Sequence, residues 1–183
     1  PNDLGSTELV KHHIETGQAQ PIRGPVYPVP LAKRKEIDSM IEQMLQQGII
    51  EESSSPWRSP VVLIKKADNS WRFCVDYRAL NAVTVKDAYM LPRTDLTGSA
   101  WCTTLDMTSG YWQVALDEES KLKTAFSAGT ELYPFVRMPF GLCGAPATFE
   151  RLVENVLKGM TADFVKVFLD DVLVHSAEFN RHI

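Results

Sequence analysis

Two adjacent acidic residues interrupt an apolar stretch near the end of the sequence. Asp170 and Asp171 lie between the runs 165–168 and 172–174, whose residue types are typical of β-strands. A carboxylate in such a core is unfavourable unless it is solvated, paired or bound to a metal ion. A tight hairpin turn is one explanation, because Asp is common in turns. A metal site is the other, and these two residues alone leave the choice open.

A third acid favours the metal site. Asp106 ends the short apolar run 101–105, and Thr108, Ser109 and Gly110 follow closely, which indicates a strand that runs into a turn. If Asp106 lies beside the other two acids, the three carboxylates repel one another unless divalent cations compensate. Hard oxygen ligands suit Mg²⁺, and two such ions can promote an in-line phosphoryl transfer. That reaction is the chemistry of polymerases.

Other segments predict the elements that must position these acids. Apolar residues within 37–45 recur at helical spacing before Gly48, which predicts a helix that ends there. Segment 61–75 predicts a β-hairpin with a polar turn at 67–70. Pro146 and the spaced apolar residues after it predict a second helix. Helices and strands that mix without strict alternation favour an α+β fold.

Composition and charge narrow the class of protein. The chain has 183 residues, of which 44% are hydrophobic, as in ordinary globular domains. It has neither a run near the roughly 18 apolar residues of a membrane span nor a signal-peptide pattern, so an intracellular location is expected. The net charge of -4 argues against nucleic-acid binding by bulk positive charge. The basic residues grouped at 33–35 and within 65–78 are compatible with a local basic surface. Turn-forming residues in 1–30 predict an extended lead-in, and the start at Pro1 suggests a piece of a longer protein.

Several motifs occur in a fixed order from about residue 9 to the end of the chain. They are SPWRSP (55–60), VVLIKK (61–66), WRFCVDYR (71–78), LN (80–81), LDM (105–107), SGYWQ (109–113), KTAF (123–126), MPFGL (138–142), APATF (145–149) and FLDD (168–171). Together they resemble the reverse transcriptase of the Ty3/gypsy long-terminal-repeat retrotransposon family. So many motifs in one order point to a family far more specifically than two adjacent acids do.

The resemblance implies a right-hand polymerase fold with fingers and an incomplete palm, and with no thumb. The implied division is an extended lead-in (1–30), fingers (31–85), a first part of the palm (86–117), a return to the fingers (118–144) and a truncated second part of the palm (145–183). The implied function is that of an RNA-directed DNA polymerase, which transfers a nucleotide from a dNTP to a primer 3'-hydroxyl with two metal ions. The implied cofactor is Mg²⁺, or Mn²⁺ in its place. The implied partners are an RNA or DNA template with its primer, dNTPs, and the remainder of a Pol polyprotein with its thumb, ribonuclease H and integrase. A cytoplasmic particle and the nucleus both stay open as locations.

The resemblance also assigns roles to charged residues. The three metal-binding catalytic acids of the family are matched by Asp106, Asp170 and Asp171. The fingers element that contacts the incoming triphosphate is matched by Lys65, Lys66 and Arg72, with the choice between the two lysines open and a solvated hairpin tip as the alternative. Arg78 matches a template contact, although a salt bridge with Asp76 is equally compatible with the sequence.

Uncharged residues complete the implied nucleotide site. Ser109 and Gly110 match a turn whose backbone N–H groups face the triphosphate. Tyr111 matches the aromatic gate that excludes a ribose 2'-hydroxyl, and a packed core tyrosine is its alternative. Phe140 and Gly141 match the loop near the base and sugar, where an apolar Phe140 predicts contact by packing.

Three departures from the family pattern keep a second hypothesis open. Phe168 stands where the family usually has Tyr, and the segment from Arg93 to Leu105 is about five residues shorter, more than a helical turn, so Asp106 could be misplaced. The chain ends twelve residues after Asp171, within what the sequence predicts to be the start of a helix, and weak template–primer binding is expected. The alternative function is a catalytically inactive retrotransposon remnant that keeps the fold as a non-enzymatic interaction module.

Overall fold

The computed structural model describes residues 5–27, 31–89, 96–107, 109–160, 164–168 and 171–182. Within these residues the helices are α1 (Leu31–Gln46), α2 (Arg78–Val83), α3 (Glu118–Lys123) and α4 (Ala145–Val156). The strands are β1 (Thr7–His12), β2 (Val61–Lys65), β3 (Trp71–Val75), β4 (Trp101–Asp106), β5 (Val114–Leu116), β6 (Phe126–Ala128), β7 (Glu131–Tyr133), β8 (Val165–Phe168) and β9 (Asp171–Ser176). Helices and strands mix without strict alternation, which confirms the predicted α+β class.

Helix α1 forms where the apolar spacing predicts it. Its side chains Ile37, Ile41 and Met44 are buried in the core, because residues three and four apart share one face of a helix. Gly48 follows the helix with φ +64°, a left-handed conformation that glycine adopts without strain. The N–H of Gly48 donates to the carbonyl oxygen of Leu45 at 3.0 Å, which satisfies one of the last helical carbonyls.

Strands β2 and β3 form the predicted hairpin. They pair antiparallel, with Lys65 opposite Trp71, and the N–H of Lys66 extends the ladder by donating to the carbonyl oxygen of Ser70 at 2.9 Å. Residues 67–69 form a short loop between Lys66 and Ser70, in which Asn69 has φ 67°. A loop of this length often needs one left-handed residue, and Asn tolerates that conformation well.

The three-stranded sheet β4-β9-β8 carries the segment with the adjacent acids. Both pairings are antiparallel, and Val165, Val167 and Val172 are buried on one face. Helix α4 begins with Pro146 in its first turn, as predicted, and packs on β8. After β9, where the sequence predicts the start of a helix, a short 3-10 helix spans Phe179–Arg181.

The first thirty residues contribute a strand to the core. Strand β1 pairs in parallel with β5, and Ile14 just after it is fully buried. The N–H of Ile14 donates to the hydroxyl of Ser120 at 2.7 Å, and the buried Lys123 ammonium donates to the carbonyl oxygen of Ile14 at 2.8 Å. These contacts join the start of the chain to α3. No helix in the described ranges is long and apolar enough to cross a bilayer.

Candidate functional site

Asp106 and Asp171 are brought together by the pairing of β4 with β9. The register is continuous from Trp101 opposite Ser176 to Asp106 opposite Asp171. Directly opposite residues in an antiparallel pair have Cβ atoms about 4.5–5.5 Å apart, so the two carboxylates are neighbours at one end of the sheet. The shortened segment before β4 therefore leaves Asp106 in register with Asp171. Both residues are exposed.

The third predicted acid, Asp170, lies outside the described residues. Asp171 is the first residue of β9 and lies opposite Phe168, the last residue of β8. Asp171 is thus a strand residue, while the structure leaves the turn hypothesis untested for Asp170. Among the described residues, no His, Cys, Asp or Glu forms a group of three that could hold a metal ion. The structure brings together Asp106 and Asp171, two of the three predicted ligands, and their binding of a metal ion stays a prediction.

The two carboxylates belong to the open face of the sheet. Side chains alternate between the two faces of a strand, so Asp171 lies on the face opposite to Val172. Val172 is buried, as are Val165 and Val167 of β8 on its side of the sheet, where α4 packs. Because Asp106 and Asp171 are both exposed, this face is open to a ligand at that end of the sheet.

The turn after β4 is held by packing against α4. Ser109 has φ 52°, and the N–H of Gly110 donates to the carbonyl oxygen of Met107 at 3.2 Å. A Cβ atom at Gly110 would lie 2.6 Å from Cζ of Phe149, closer than such atoms pack. The fold itself therefore requires glycine at residue 110, which is a reason that the sequence did not reveal. The predicted approach of a triphosphate to this turn stays a prediction.

Tyr111 and Phe140 stack on each other, so these two predicted site residues meet. Their ring centroids are 4.9 Å apart with an interplanar angle of 25°, and the ring centroid of Phe149 lies 5.2 Å from that of Tyr111. Tyr111 is 6% exposed, whereas Phe140 is 49% exposed. Tyr111 is thus a packed tyrosine covered by Phe140, and its role as a sugar gate stays a prediction.

In the β2-β3 hairpin the two candidate lysines lie on opposite faces. Arg72 lies opposite Ile64 on the outer face, whereas Lys65 lies opposite Trp71 on the other face. Lys66 continues the ladder beyond β2, so alternation places it on the face of Arg72. All three basic residues are exposed.

Arg78 forms the salt bridge that the sequence left open. Its Nη2 lies 2.6 Å from Oδ2 of Asp76, and its Nε donates to Oδ1 at 2.9 Å. Hydrogen bonding to this guanidinium holds the pKa of Asp76 below its usual value. The Arg78 side chain is nevertheless 86% exposed, so its outer edge is accessible. A template contact at Arg78 stays a prediction.

Comparisons with known proteins identify the family. Residues 64–183 match the family model described as "Reverse transcriptase (RNA-dependent DNA polymerase)". The chain is 38% identical over 98% of its length to the Pol polyprotein of transposon 297 from Drosophila melanogaster, and 33% identical over 93% to that of transposon gypsy. The chain belongs to the reverse transcriptase family. Its similarity to these transposons confirms the predicted Ty3/gypsy type.

The fold of this reverse transcriptase segment is also similar to solved structures. The foamy viral protease-reverse transcriptase in complex with an RNA/DNA hybrid matches 97% of this chain with a TM-score of 0.85 and 25% identity. This similarity confirms the predicted fold of polymerase fingers and palm. The chain spans 18% of the length of each transposon polyprotein named above and 24% of the foamy viral chain.

One residue of this chain has a structural role that sequence reasoning missed. The side-chain amide of Asn81 donates to the carbonyl oxygen of Gly141 at 2.8 Å, and its Oδ1 accepts from the N–H of Cys143 at 2.9 Å. Gly141 has φ +95°, so the loop between Phe140 and α4 is sharply bent there. The only sequence signal was the motif at 80–81, to which no role was given.

Proposed function

We propose that this chain is the catalytic segment of an RNA-directed DNA polymerase, which adds nucleotides from dNTPs to a primer 3'-hydroxyl. The observation that carries the proposal is Asp106 directly opposite Asp171 on the open face of the β4-β9-β8 sheet. Two carboxylates so placed repel each other unless a cation lies between them. The family membership supports the same reaction.

The donor chemistry fits a divalent metal ion. Asp106 and Asp171 offer hard carboxylate oxygens, which Mg²⁺ prefers, and Mn²⁺ accepts the same ligands. Asp170 is proposed as the third ligand from the sequence motif. Bound ions of this kind would make the primer hydroxyl a better nucleophile and stabilise the charge on the leaving pyrophosphate.

Basic residues of the hairpin would bind the triphosphate. Arg72 and Lys66 share the outer face, so we assign the triphosphate contact to Lys66 rather than to Lys65. The planar guanidinium of Arg72 can form paired hydrogen bonds to a phosphate, and the Lys66 ammonium acts as a point charge. The backbone N–H groups of Ser109 and Gly110 would face the same phosphates.

The stacked rings would position the sugar and base. The exposed ring of Phe140 offers an apolar surface, and Tyr111 beneath it fixes the position of that ring. A rigid aromatic wall can exclude a ribose 2'-hydroxyl by steric contact, which would select deoxynucleotides. Gly141 lets the loop bend beside these rings.

A primed RNA or DNA template is the proposed macromolecular substrate. The similar foamy viral protein has been solved in complex with an RNA/DNA hybrid and with dsDNA. The exposed Arg78 is proposed to contact a template phosphate, with Asp76 holding its guanidinium in place. The remainder of a Pol polyprotein, with its thumb, ribonuclease H and integrase, would complete the cleft.

Primer extension on an RNA template with Mg²⁺ tests the proposal. The native chain is compared with Asp106→Asn and Asp171→Asn, and with Asp38→Asn at an exposed position of α1 as a charge-matched control. We expect extension that each of the first two substitutions abolishes and that the control retains. A folded chain that extends no primer, even when joined to downstream Pol sequence, would contradict polymerase function and favour the inactive-remnant alternative.

A further inference from the structure

A cavity of about 320 Å³ lies apart from the predicted polymerase residues. Its walls come from the end of β1, from residues 81–87 and from the start of α4. None of the residues assigned above to metal, nucleotide or template binding lines it. The lining residues that could bind a ligand are Lys11, His12, Lys86, Gly144, Thr148 and Arg151.

The cavity contains a buried histidine with one free ring nitrogen. His12 is 3% exposed, and its Nδ1 lies 2.8 Å from the hydroxyl oxygen of Thr148. Its Nε2 has no hydrogen-bond partner among the residues that the structure describes. A Cβ atom built on Gly144 would lie 3.2 Å from Cε1 and 3.8 Å from Nε2 of this ring. The unoccupied edge of His12 therefore faces the first turn of α4.

The charges around this histidine favour an anion. Lys11, Lys86 and Arg151 are three cations, against the two carboxylates of Glu15 and Asp87, on a chain whose net charge is -4. Arg151 is paired with Asp87, while neither lysine has an ion-pair partner within the described ranges. The N-terminus of the twelve-residue helix α4 adds partial positive charge.

We propose that this cavity is a second phosphate-binding site, in which Nε2 of His12, Lys86 and the N-terminus of α4 bind one phosphate group. Lys11 completes the positive rim. The ligand class is a phosphate group with at least one negative charge, carried either by a nucleic-acid strand or by a free phosphate or nucleotide. The site does not depend on the polymerase activity proposed above.

Binding at this site takes up a proton. Burial lowers the pKa of His12 from 6.5 to about 4, so the ring is neutral at pH 7. The other charged groups that act on it are Asp117, which raises its pKa, and His13 and Arg151, which lower it, with a smaller raising effect from Asp87. A bound anion beside Nε2 stabilises the protonated form of the ring. Because the ring takes up a proton when the anion binds, anion binding is stronger at lower pH.

Sulfate titration followed by amide NMR spectra of the 183-residue chain tests the site. Sulfate keeps its double charge between about pH 5.5 and pH 7.5, so a change in its affinity reports on the protein. We expect shifts centred on the amides of Cys143 and Gly144, and an affinity about tenfold higher at the lower pH. His12→Gln should lower the pH dependence, and the remainder, which comes from protonation of His13 in the cavity wall, should disappear in the double variant His12→Gln/His13→Gln. Lys86→Gln should weaken binding severalfold and retain that dependence, and Lys158→Gln should match the native chain.

Competition then identifies the source of the phosphate. Displacement of sulfate by a single-stranded oligonucleotide without terminal phosphates supports a site for a strand phosphodiester. Displacement by inorganic phosphate alone supports a site for free phosphate or a nucleotide. A sulfate affinity that is independent of pH, or that Lys86→Gln and Lys158→Gln lower equally, would overturn the proposal. None of these measurements requires primer extension, so their failure is separate from failure of the polymerase function.

Discussion

Asp106, the last residue of β4, lies directly opposite Asp171, the first residue of β9. Two carboxylates in that arrangement destabilise each other in the absence of a cation, and a sheet that needed only stability would not place them together. Buried valines of β8 and β9 and the packing of α4 on β8 anchor the sheet, and the antiparallel ladder with β9 holds β4 in register. This arrangement is the one that the proposed metal site requires.

Gly110 is predicted to stabilise the fold because only glycine leaves room for the ring of Phe149. In Gly110→Ala the new methyl group would lie 2.6 Å from the ring, and we expect a loss of about 1–3 kcal/mol in the free energy of unfolding. Urea denaturation measures this loss. The same substitution in a Phe149→Leu background, where the ring is absent, should be milder. Equal losses in both backgrounds would show that the ring contact is not the cause.

Much of this architecture could be predicted from local patterns. Helical spacing in α1, alternation and turn chemistry in β2 and β3, and Pro146 at the start of α4 each lie within a short segment. The closeness of Asp106 to the later acids was predicted from strand boundaries, and the register places Asp171 opposite it.

Local sequence patterns could not predict the contacts between distant segments. The burial of His12 depends on Thr148, which is 136 residues away, and the parallel pairing of β1 with β5 has no local signal. The choice between Lys65 and Lys66 needed the hairpin register. The stacking of Tyr111 on Phe140 likewise depends on how the 3-10 helix at Gly110–Gln113 packs against a loop far along the chain.

His12 should make the protein less stable in acid. Its folded-state pKa of about 4 is below the ordinary 6.5, so the unfolded chain binds more protons between these values and stability falls as pH falls through this window. Urea midpoints in buffers without phosphate or sulfate measure the effect. In His12→Gln this part of the decline should disappear.

His13 is the matched control, because its pKa is shifted in the opposite direction to that of His12. Hydrogen bonding to Asp117, with Nδ1 2.7 Å from Oδ2, raises the pKa of His13. Its contribution to stability is therefore present below pH 6.5 and is lost as pH rises through the folded-state pKa. His13→Gln should leave unchanged the loss of stability at low pH. If that loss disappears in His13→Gln but persists in His12→Gln, both assignments are contradicted.

Asn81 is predicted to hold the loop that carries Phe140 and Gly141. Asn81→Ala removes two hydrogen bonds, and the expected loss is about 1–3 kcal/mol in local or global stability. Hydrogen exchange at the Cys143 amide should accelerate, because its acceptor is gone. Asn180→Ala, at an exposed position, should leave that rate unchanged. An unchanged rate in Asn81→Ala would show that the loop is held by other contacts.

Glu150 is predicted to destabilise the native fold at neutral pH. It is fully buried, neither carboxylate oxygen has a hydrogen-bond partner among the residues that the structure describes, and burial, followed by the nearby Glu154, raises its pKa. A raised carboxyl pKa makes stability fall as pH rises above the ordinary value of 4.5, so Glu150→Gln should be more stable than the native chain at pH 7. Urea denaturation checks this increase.

Glu154→Gln serves as the comparison for Glu150→Gln. Glu154 accepts a hydrogen bond from the hydroxyl of Tyr89 at 2.6 Å, so a neutral amide there weakens a charge-assisted bond. We expect no gain in stability from this change. If both substitutions stabilise the protein equally, general relief of negative charge would explain the result instead of the burial of Glu150.

A titration with Mn²⁺, followed by paramagnetic broadening of amide signals, tests most directly whether Asp106 and Asp171 form a metal site. Our account predicts broadening first at residues 106 and 171, its loss in Asp106→Asn and in Asp171→Asn, and its retention in Asp38→Asn. Broadening that persists unchanged in both aspartate variants, or that is centred elsewhere on the chain, would contradict the account.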